Sequence, residues 1–158
     1  MSHASPSAVV LVKHAWATFA ATMSAGIWIA RVLALVGFAD AAYLTATHYA
    51  GSSVFCGVSG GCETVLSSEF ATLGPVPIAL IGAVYYGLAS LLAWTPGASW
   101  SRTTAGILAV LTGLAFAISA VLFGIQAFQL QAWCRFCLVS AAITTFLFAT
   151  SIWLLRRA

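Results

Sequence analysis

Trp133-Cys134-Arg135-Phe136-Cys137 stands at the head of the last long apolar stretch of the chain, Leu138 to Leu155, and sets two thiols three residues apart. On a helix, positions i and i+3 share a face, so this spacing makes the two sulfurs neighbours. A helix N-terminus and an adjacent Arg135 both favour the thiolate, which is the reactive form of cysteine. A C-x-x-C so placed is either a redox pair or half of a metal site. The surroundings are those of a membrane. Of 158 residues, 62% are hydrophobic and 6% charged, whereas an ordinary soluble protein carries roughly 25% charged residues. The net charge of +3 is scattered and forms no basic patch, so it gives no sign of a nucleic-acid partner and none is expected.

Working outward, the stretch from Cys134 to about Leu155 is long enough to span, since about 20 residues cross the hydrocarbon core. Three more spans precede it, at about 26–49, 77–94 and 103–128, separated by the turn cluster Thr95-Pro96-Gly97-Ala98-Ser99 and the connection Gln129 to Trp133. Pro77 opens the second span, where its missing N–H costs nothing. Residues 50–76 break the apolar pattern with Gly51-Ser52-Ser53, Gly60-Gly61 and Gly74-Pro75-Val76-Pro77, and hold Cys56 and Cys62. Within this loop Cys62 to Phe70 suits a short helix lying on the membrane surface. The expected fold is an all-α integral membrane protein, a four-helix transmembrane bundle at 25–158 with an outer loop carrying a surface helix. Residues 1–24 read as a tail or surface helix, with a signal peptide as the rival reading.

Orientation follows from the basic residues. With both termini cytoplasmic, Lys13, Arg31, Arg102, Arg156 and Arg157 fall inside or at the inner boundary and Arg135 alone falls outside, as the positive-inside rule prefers. Both cysteine pairs then share the outer face, in an oxidising compartment where disulfides persist. Distant in sequence, they can meet in space.

A pair on a Gly-rich loop and a pair fixed at a helix end suit thiol–disulfide exchange, which passes through a mixed disulfide. Electrons would run from an outside dithiol to Cys56–Cys62, then to Cys134–Cys137, then to a lipid-soluble carrier among the spans. Two other readings use the same residues. Four thiolates can close a zinc site, although the C-x5-C spacing is looser than the usual two to four. Both pairs can also be inert staples in a structural protein. Asp40 is an ionisable group inside a span and so a functional candidate by default, either handling protons or making a structural hydrogen bond. Tyr43, Tyr85 and Tyr86 suit a ring-binding pocket or interfacial anchors. Gly82, Gly106, Gly113 and Gly124 suit close approach of spans, and His48 suits the interface.

The ordered set Asp40-Ala41-Ala42-Tyr43-Leu44-Thr45, Cys56 through Cys62-Glu63-Thr64-Val65-Leu66-Ser67-Ser68, Gly74-Pro75-Val76-Pro77 before Tyr85-Tyr86, and Cys134-Arg135-Phe136-Cys137 resembles the bacterial branch of the vitamin K epoxide reductase family. The resemblance covers roughly Arg31 to Arg157. It implies a bundle around a quinone, ubiquinone or menaquinone, with no metal. By the match, Cys137 stands beside the ring, Cys134 accepts attack from Cys62, Cys56 exchanges with the partner, and Ser68 hydrogen-bonds near the quinone. Asp40, Tyr43 and Tyr86 are the other expected quinone-binding residues. Many bacterial members carry a fused thioredoxin-like domain that these 158 residues do not contain, so the expected partner is a separate DsbA-like protein on the outer face of a bacterial inner membrane. Animal members carry a tyrosine four residues after the second active-site cysteine; Ala141 stands there, which favours plain quinone reduction coupled to disulfide formation over epoxide reduction.

Overall fold

In a computed structural model of the chain, residues 6–54, 61–95 and 101–158 are described, the side chains of 6–16, 19 and 20 excepted. The chain is an all-α membrane protein. Its elements are helix α1 (Pro6–Ala50), the loop helix α2 (Gly61–Leu66), a 3-10 turn (Glu69–Ala71), a two-stranded ribbon of β1 (Thr72–Leu73) and β2 (Val76–Pro77), and helices α3 (Ile78–Ala93), α4 (Arg102–Ile125) and α5 (Arg135–Arg157), with a π-helical turn (Gln126–Leu130) extending α4. Among the described residues three helical stretches are long and apolar enough to cross a membrane, Ala21–Ala50, Arg102–Leu130 and Arg135–Arg157, while Ile78–Ala93 is apolar but shorter. Helix α1 packs against α3 and α5, and α4 packs against α5 and, more sparsely, α3.

Small residues set these contacts. Gly26, Ala30, Ala34, Gly37, Ala41 and Leu44 recur at helical spacing and are the buried stripe of α1. Ala83, Tyr86, Ala89 and Ala93 are its counterpart on α3. In a bilayer, lipid tails are as apolar as leucine, so helices associate through close packing and interhelical hydrogen bonds. The outward faces carry the larger apolar side chains, among them Val32, Val36, Leu91, Val110 and Val121.

Hydroxyl groups tie the helices. The Tyr86 hydroxyl donates to the Ser140 carbonyl at 2.8 Å and lies 2.8 Å from Thr144 Oγ1, joining α3 to α5. Thr112 and Ser151, both fully buried, meet at 2.8 Å between α4 and α5. Arg31 Nε donates to the Ala93 carbonyl at 2.9 Å while its guanidinium lies 4.9 Å from the ring centres of Trp28 and Trp94. It therefore caps the end of α3 rather than reaching only outward.

Three sequence expectations change. The separate stretch expected at 1–24 meets one unbroken helix from Pro6. Ser24-Ala25-Gly26 does not interrupt it, because Ser24 Oγ bonds back to Ala21 and Gly26 fits beneath the Trp153 ring, where a Cβ would come within 2.5 Å. Close approach also falls on other glycines than expected. A Cβ at Gly37 would clash with the Tyr86 ring, whereas Gly106 and Gly124 face nothing within 4 Å, Gly82 makes ordinary contact and, of the four expected, only Gly113 is tight, against Phe148. The loop holds a ribbon that alternation could not reveal, since each strand has two residues, paired Thr72 to Pro77 and Leu73 to Val76. Gly74 supplies its turn with φ +61, a conformation costly to other residues. The end of α1 is a Schellman motif: Gly51 takes φ +60, its N–H bonds His48 and the Ser52 N–H bonds Thr47, which satisfies carbonyls the helix would otherwise leave open. The turn cluster at 96–100 lies outside the described residues.

Gly37→Ala is expected to destabilise the protein by about 1–3 kcal/mol, because a methyl group would force the hydrogen-bonded Tyr86 ring out of place. Gly106→Ala should leave stability unchanged; thermal unfolding of the detergent-solubilised variants checks both.

Candidate functional site

Cys62 and Cys134 share one small buried cluster with Val65, against which Val54, Leu66, Leu130, Ala132, Phe136 and Cys137 pack. Cys62 is 1% exposed and Cys134 is 0% exposed. The loop and the C-x-x-C thus come together at one end of the helices. Cys62 is disulfide-bonded, while Cys134 and Cys137 are free thiols among the described residues. Cys56, its expected partner, lies outside the described residues.

The loop reaches this position by close backbone contact. Gly61, the first residue of α2, has its Cα so near Trp133 that a Cβ would meet the Trp133 carbonyl oxygen at 2.7 Å and its nitrogen at 3.0 Å. Glu63 sits in the first turn of α2, where a negative charge is favourable.

Cys134 is the N-cap of α5, not its first helical residue. Its Sγ accepts the N–H of Cys137 at 3.3 Å, a sulfur taking the place that a hydroxyl usually fills at a helix start. The two sulfurs of C-x-x-C therefore differ in setting. Cys134 precedes the apolar span Arg135–Arg157; hydrogen bonding from the Cys137 thiol, and from the Cys137 and Phe136 N–H groups, holds its thiol below the ordinary cysteine range against the opposing effect of burial. Cys137, one turn in, lines a cavity.

That cavity has a volume of about 560 Å³ and is walled by α1, α3, α4, α5 and the loop. Cys137, Asp40, Tyr86 and Ser68, four of the expected site residues, line it together, as do Tyr85 and His48. Asp40, Leu44, Thr47 and His48 come from one face of α1, with helical spacing. Asp40 Oδ2 is buried with no hydrogen-bond partner among the described residues. The Ser68 hydroxyl donates to the Val65 carbonyl at 2.7 Å, so it presents acceptor lone pairs to the cavity. Ala141 is also in the wall.

Tyr43 is a correction. It is 43% exposed and packs on Phe136 with ring centres 5.5 Å apart, and it is not among the cavity-lining residues. Three residues after Asp40 and four before Thr47, it stands at the edge of the lining face, and its ring turns to Phe136 instead of into the cavity.

The residue missed in the sequence is Gln126. It is 5% exposed, lines the cavity, and its Oε1 accepts the Cys134 N–H at 3.0 Å. An amide inside an apolar run was the available signal, but Gln126, Gln129 and Gln131 look alike in one dimension.

With this geometry in place, comparison with known proteins adds identity of lineage. The vitamin K epoxide reductase family model matches residues 28–152. The chain belongs to this family. It is also 33% identical over 121 residues to thiol-disulfide oxidoreductase LTO1 of Arabidopsis thaliana, a match covering 72% of this chain and 32% of the plant protein. The chain thus spans about a third of the length of that relative. Within the family frame, the C-x-x-C asymmetry has a direct check. Replacing Cys137 by Ala removes the leading hydrogen bond to Cys134, so the Cys134 thiolate should appear at higher pH than in the parent. Titration of ultraviolet thiolate absorbance, with Cys56 and Cys62 replaced by Ser in both proteins, measures the shift.

Proposed function

We propose that this family member is a membrane thiol-disulfide oxidoreductase that reoxidises a separate thioredoxin-like, DsbA-like protein and passes two electrons to a quinone, supporting disulfide formation. One observation carries the reading. Cys134 is packed with disulfide-bonded Cys62, while Cys137, three residues on, lines the cavity. A single C-x-x-C thus faces a sulfur on one side and a ligand-sized space on the other.

The exchange steps balance as follows. A partner dithiol reduces a Cys56–Cys62 disulfide and leaves oxidised. Burial of Cys62 leaves Cys56 as the sulfur that meets the partner. The Cys62 thiolate then attacks Cys134 of an oxidised Cys134–Cys137 pair, forming a Cys62–Cys134 bond and releasing Cys137 as thiolate. Attack by Cys56 on Cys62 restores the loop disulfide and releases Cys134. The low-lying Cys134 thiol suits it as a leaving group, since a thiol of lower pKa leaves faster.

A quinone bound in the cavity would take up the two electrons and two protons that the reduced Cys134–Cys137 pair gives on reforming its disulfide. The space fits such a group, being within the 300–1,000 Å³ range usual for small-molecule sites and largely apolar with a few convergent polar groups. Cys137, Asp40, Ser68 and Tyr86 would hold the ring; the unpartnered Asp40 oxygen could accept or return a proton there, and the Ser68 lone pairs suit a hydroxyl donor. Either ubiquinone or menaquinone meets these requirements.

In the membrane, we read α1, α3, α4 and α5 as four spans, with the sixteen residues of α3 extended by the ribbon before it and Trp94 after it. The loop helix α2 lies over the outer end. Both termini are cytoplasmic and both cysteine pairs face the periplasmic side of a bacterial inner membrane, in agreement with the basic residues.

The test is anaerobic. Reduced thioredoxin-like partner is added to the purified protein with a quinone, and quinol formation is followed. Cys→Ser replacement at any of the four cysteines is expected to bring the rate to background, and Asp40→Asn to lower it about tenfold or more. If loss of either pair leaves the rate unchanged the relay is wrong, and an Asp40→Asn protein with unaltered turnover and pH profile removes Asp40 from it.

A further inference from the structure

Between α4 and α5 the chain makes an unusual reversal. Helix α4 loosens into the π-helical turn Gln126–Leu130, Gln131 adopts a left-handed conformation with φ 47, and Ala132 to Cys134 lead straight into α5. Non-glycine residues seldom take this conformation, and π-turns inside helices gather at functional sites. Gln126 binds both arms of the reversal. Its backbone carbonyl accepts the N–H groups of Gln131 and Ala132, and its side-chain Oε1 accepts the N–H of Cys134 at 3.0 Å.

The Cys134 N–H is buried. As the N-cap, it precedes the helix and has no intrahelical acceptor to turn to. Were its amide partner lost, a buried donor would go unpaired, and the φ and ψ that aim Cys134 Sγ at the Cys137 N–H would no longer be fixed from behind. The chain of bonds is then continuous: Gln126 Oε1 to Cys134 N–H, and Cys134 Sγ to Cys137 N–H. Gln126 also stands in the cavity wall, so the same side chain borders the space next to Cys137.

We propose that Gln126 is a positioning residue for the C-x-x-C, holding Cys134 in the capping geometry that stabilises its reduced form. This rests on the reading of Cys134–Cys137 as a redox couple. Stabilising the reduced form makes a couple more oxidising, so Gln126 sets how readily this pair takes electrons from the loop. The amide oxygen is the operative atom, because only an acceptor can meet an N–H. Any group keeping oxygen at that reach should keep the effect.

The test is a redox equilibrium in glutathione buffers of the full chain with Cys56 and Cys62 replaced by Ser, read by alkylation and mass. It needs no quinone and no turnover. In Gln126→Met, which keeps bulk and loses the acceptor, the equilibrium is expected to move about five- to tenfold towards the disulfide, in line with one buried hydrogen bond; tenfold corresponds to about 30 mV. Gln126→Glu, which keeps the oxygen, should stay within about threefold of the parent. Where Gln126→Met does not fold, Gln126→Asn, polar but one methylene shorter, takes its place with the same expected direction. Equal constants for the parent and the acceptor-less variant would overturn the proposal, as would an equal shift in Gln126→Glu. A parent pair that never forms a disulfide would instead overturn the redox reading, and Gln126's role with it, so the two failures look different.

Discussion

A Cβ on Gly61 would stand 2.7 Å from the Trp133 carbonyl oxygen, so the loop helix can rest directly on the backbone that leads into Cys134. The site depends on that contact. It brings Cys62, the next residue, into one buried cluster with Cys134 and excludes water from both sulfurs. A side chain at position 61 would lift α2 and separate the loop from the C-x-x-C. Because the neighbour is backbone and not the tip of a flexible side chain, there is little room to yield.

Below this contact, the helices are held by means suited to lipid. The buried stripe of α1 is glycine and alanine apart from Leu44, and its neighbours are joined by Tyr86 with Ser140 and Thr144, and by Thr112 with Ser151. Close packing of small residues with occasional hydroxyl bonds is what associates helices where hydrophobic burial gives no net advantage. The arrangement leaves a space bordered by Asp40, Ser68, Tyr86 and Cys137. Its polar atoms come from several elements, so the cavity exists only when the helices and the loop are assembled together.

Much of this was legible in the sequence, for identifiable reasons. The apolar stretches, the Pro77 start and the C-x-x-C at the head of α5 are local patterns, and α3, α4 and α5 fall within a few residues of their expected limits, whereas α1 begins at Pro6, well before the expected start near 26. That the two cysteine regions meet followed from counting spans. Tyr43 shares a helical register with Asp40 and Thr47, and periodicity does not say which way a ring at the edge of that face turns; it packs on Phe136. Gly37 and Gly61 were missed, and Gly106 and Gly124 overvalued, because close approach depends on the partner that faces a glycine. Gln126 went unseen for a related reason. Its role rests on a hydrogen bond spanning a π-turn and a left-handed residue, neither of which has a periodicity to read.

In the proposed relay Cys62 attacks Cys134 directly, and that step can be arrested. In a Cys56→Ser, Cys137→Ser double variant, each of the two remaining sulfurs lacks its own partner. Mild oxidation followed by mass spectrometry of non-reduced peptides should then find a Cys62–Cys134 disulfide formed in high yield within one chain. If those two cysteines stay as thiols, or cross-link only between molecules, the loop does not deliver its electrons to Cys134.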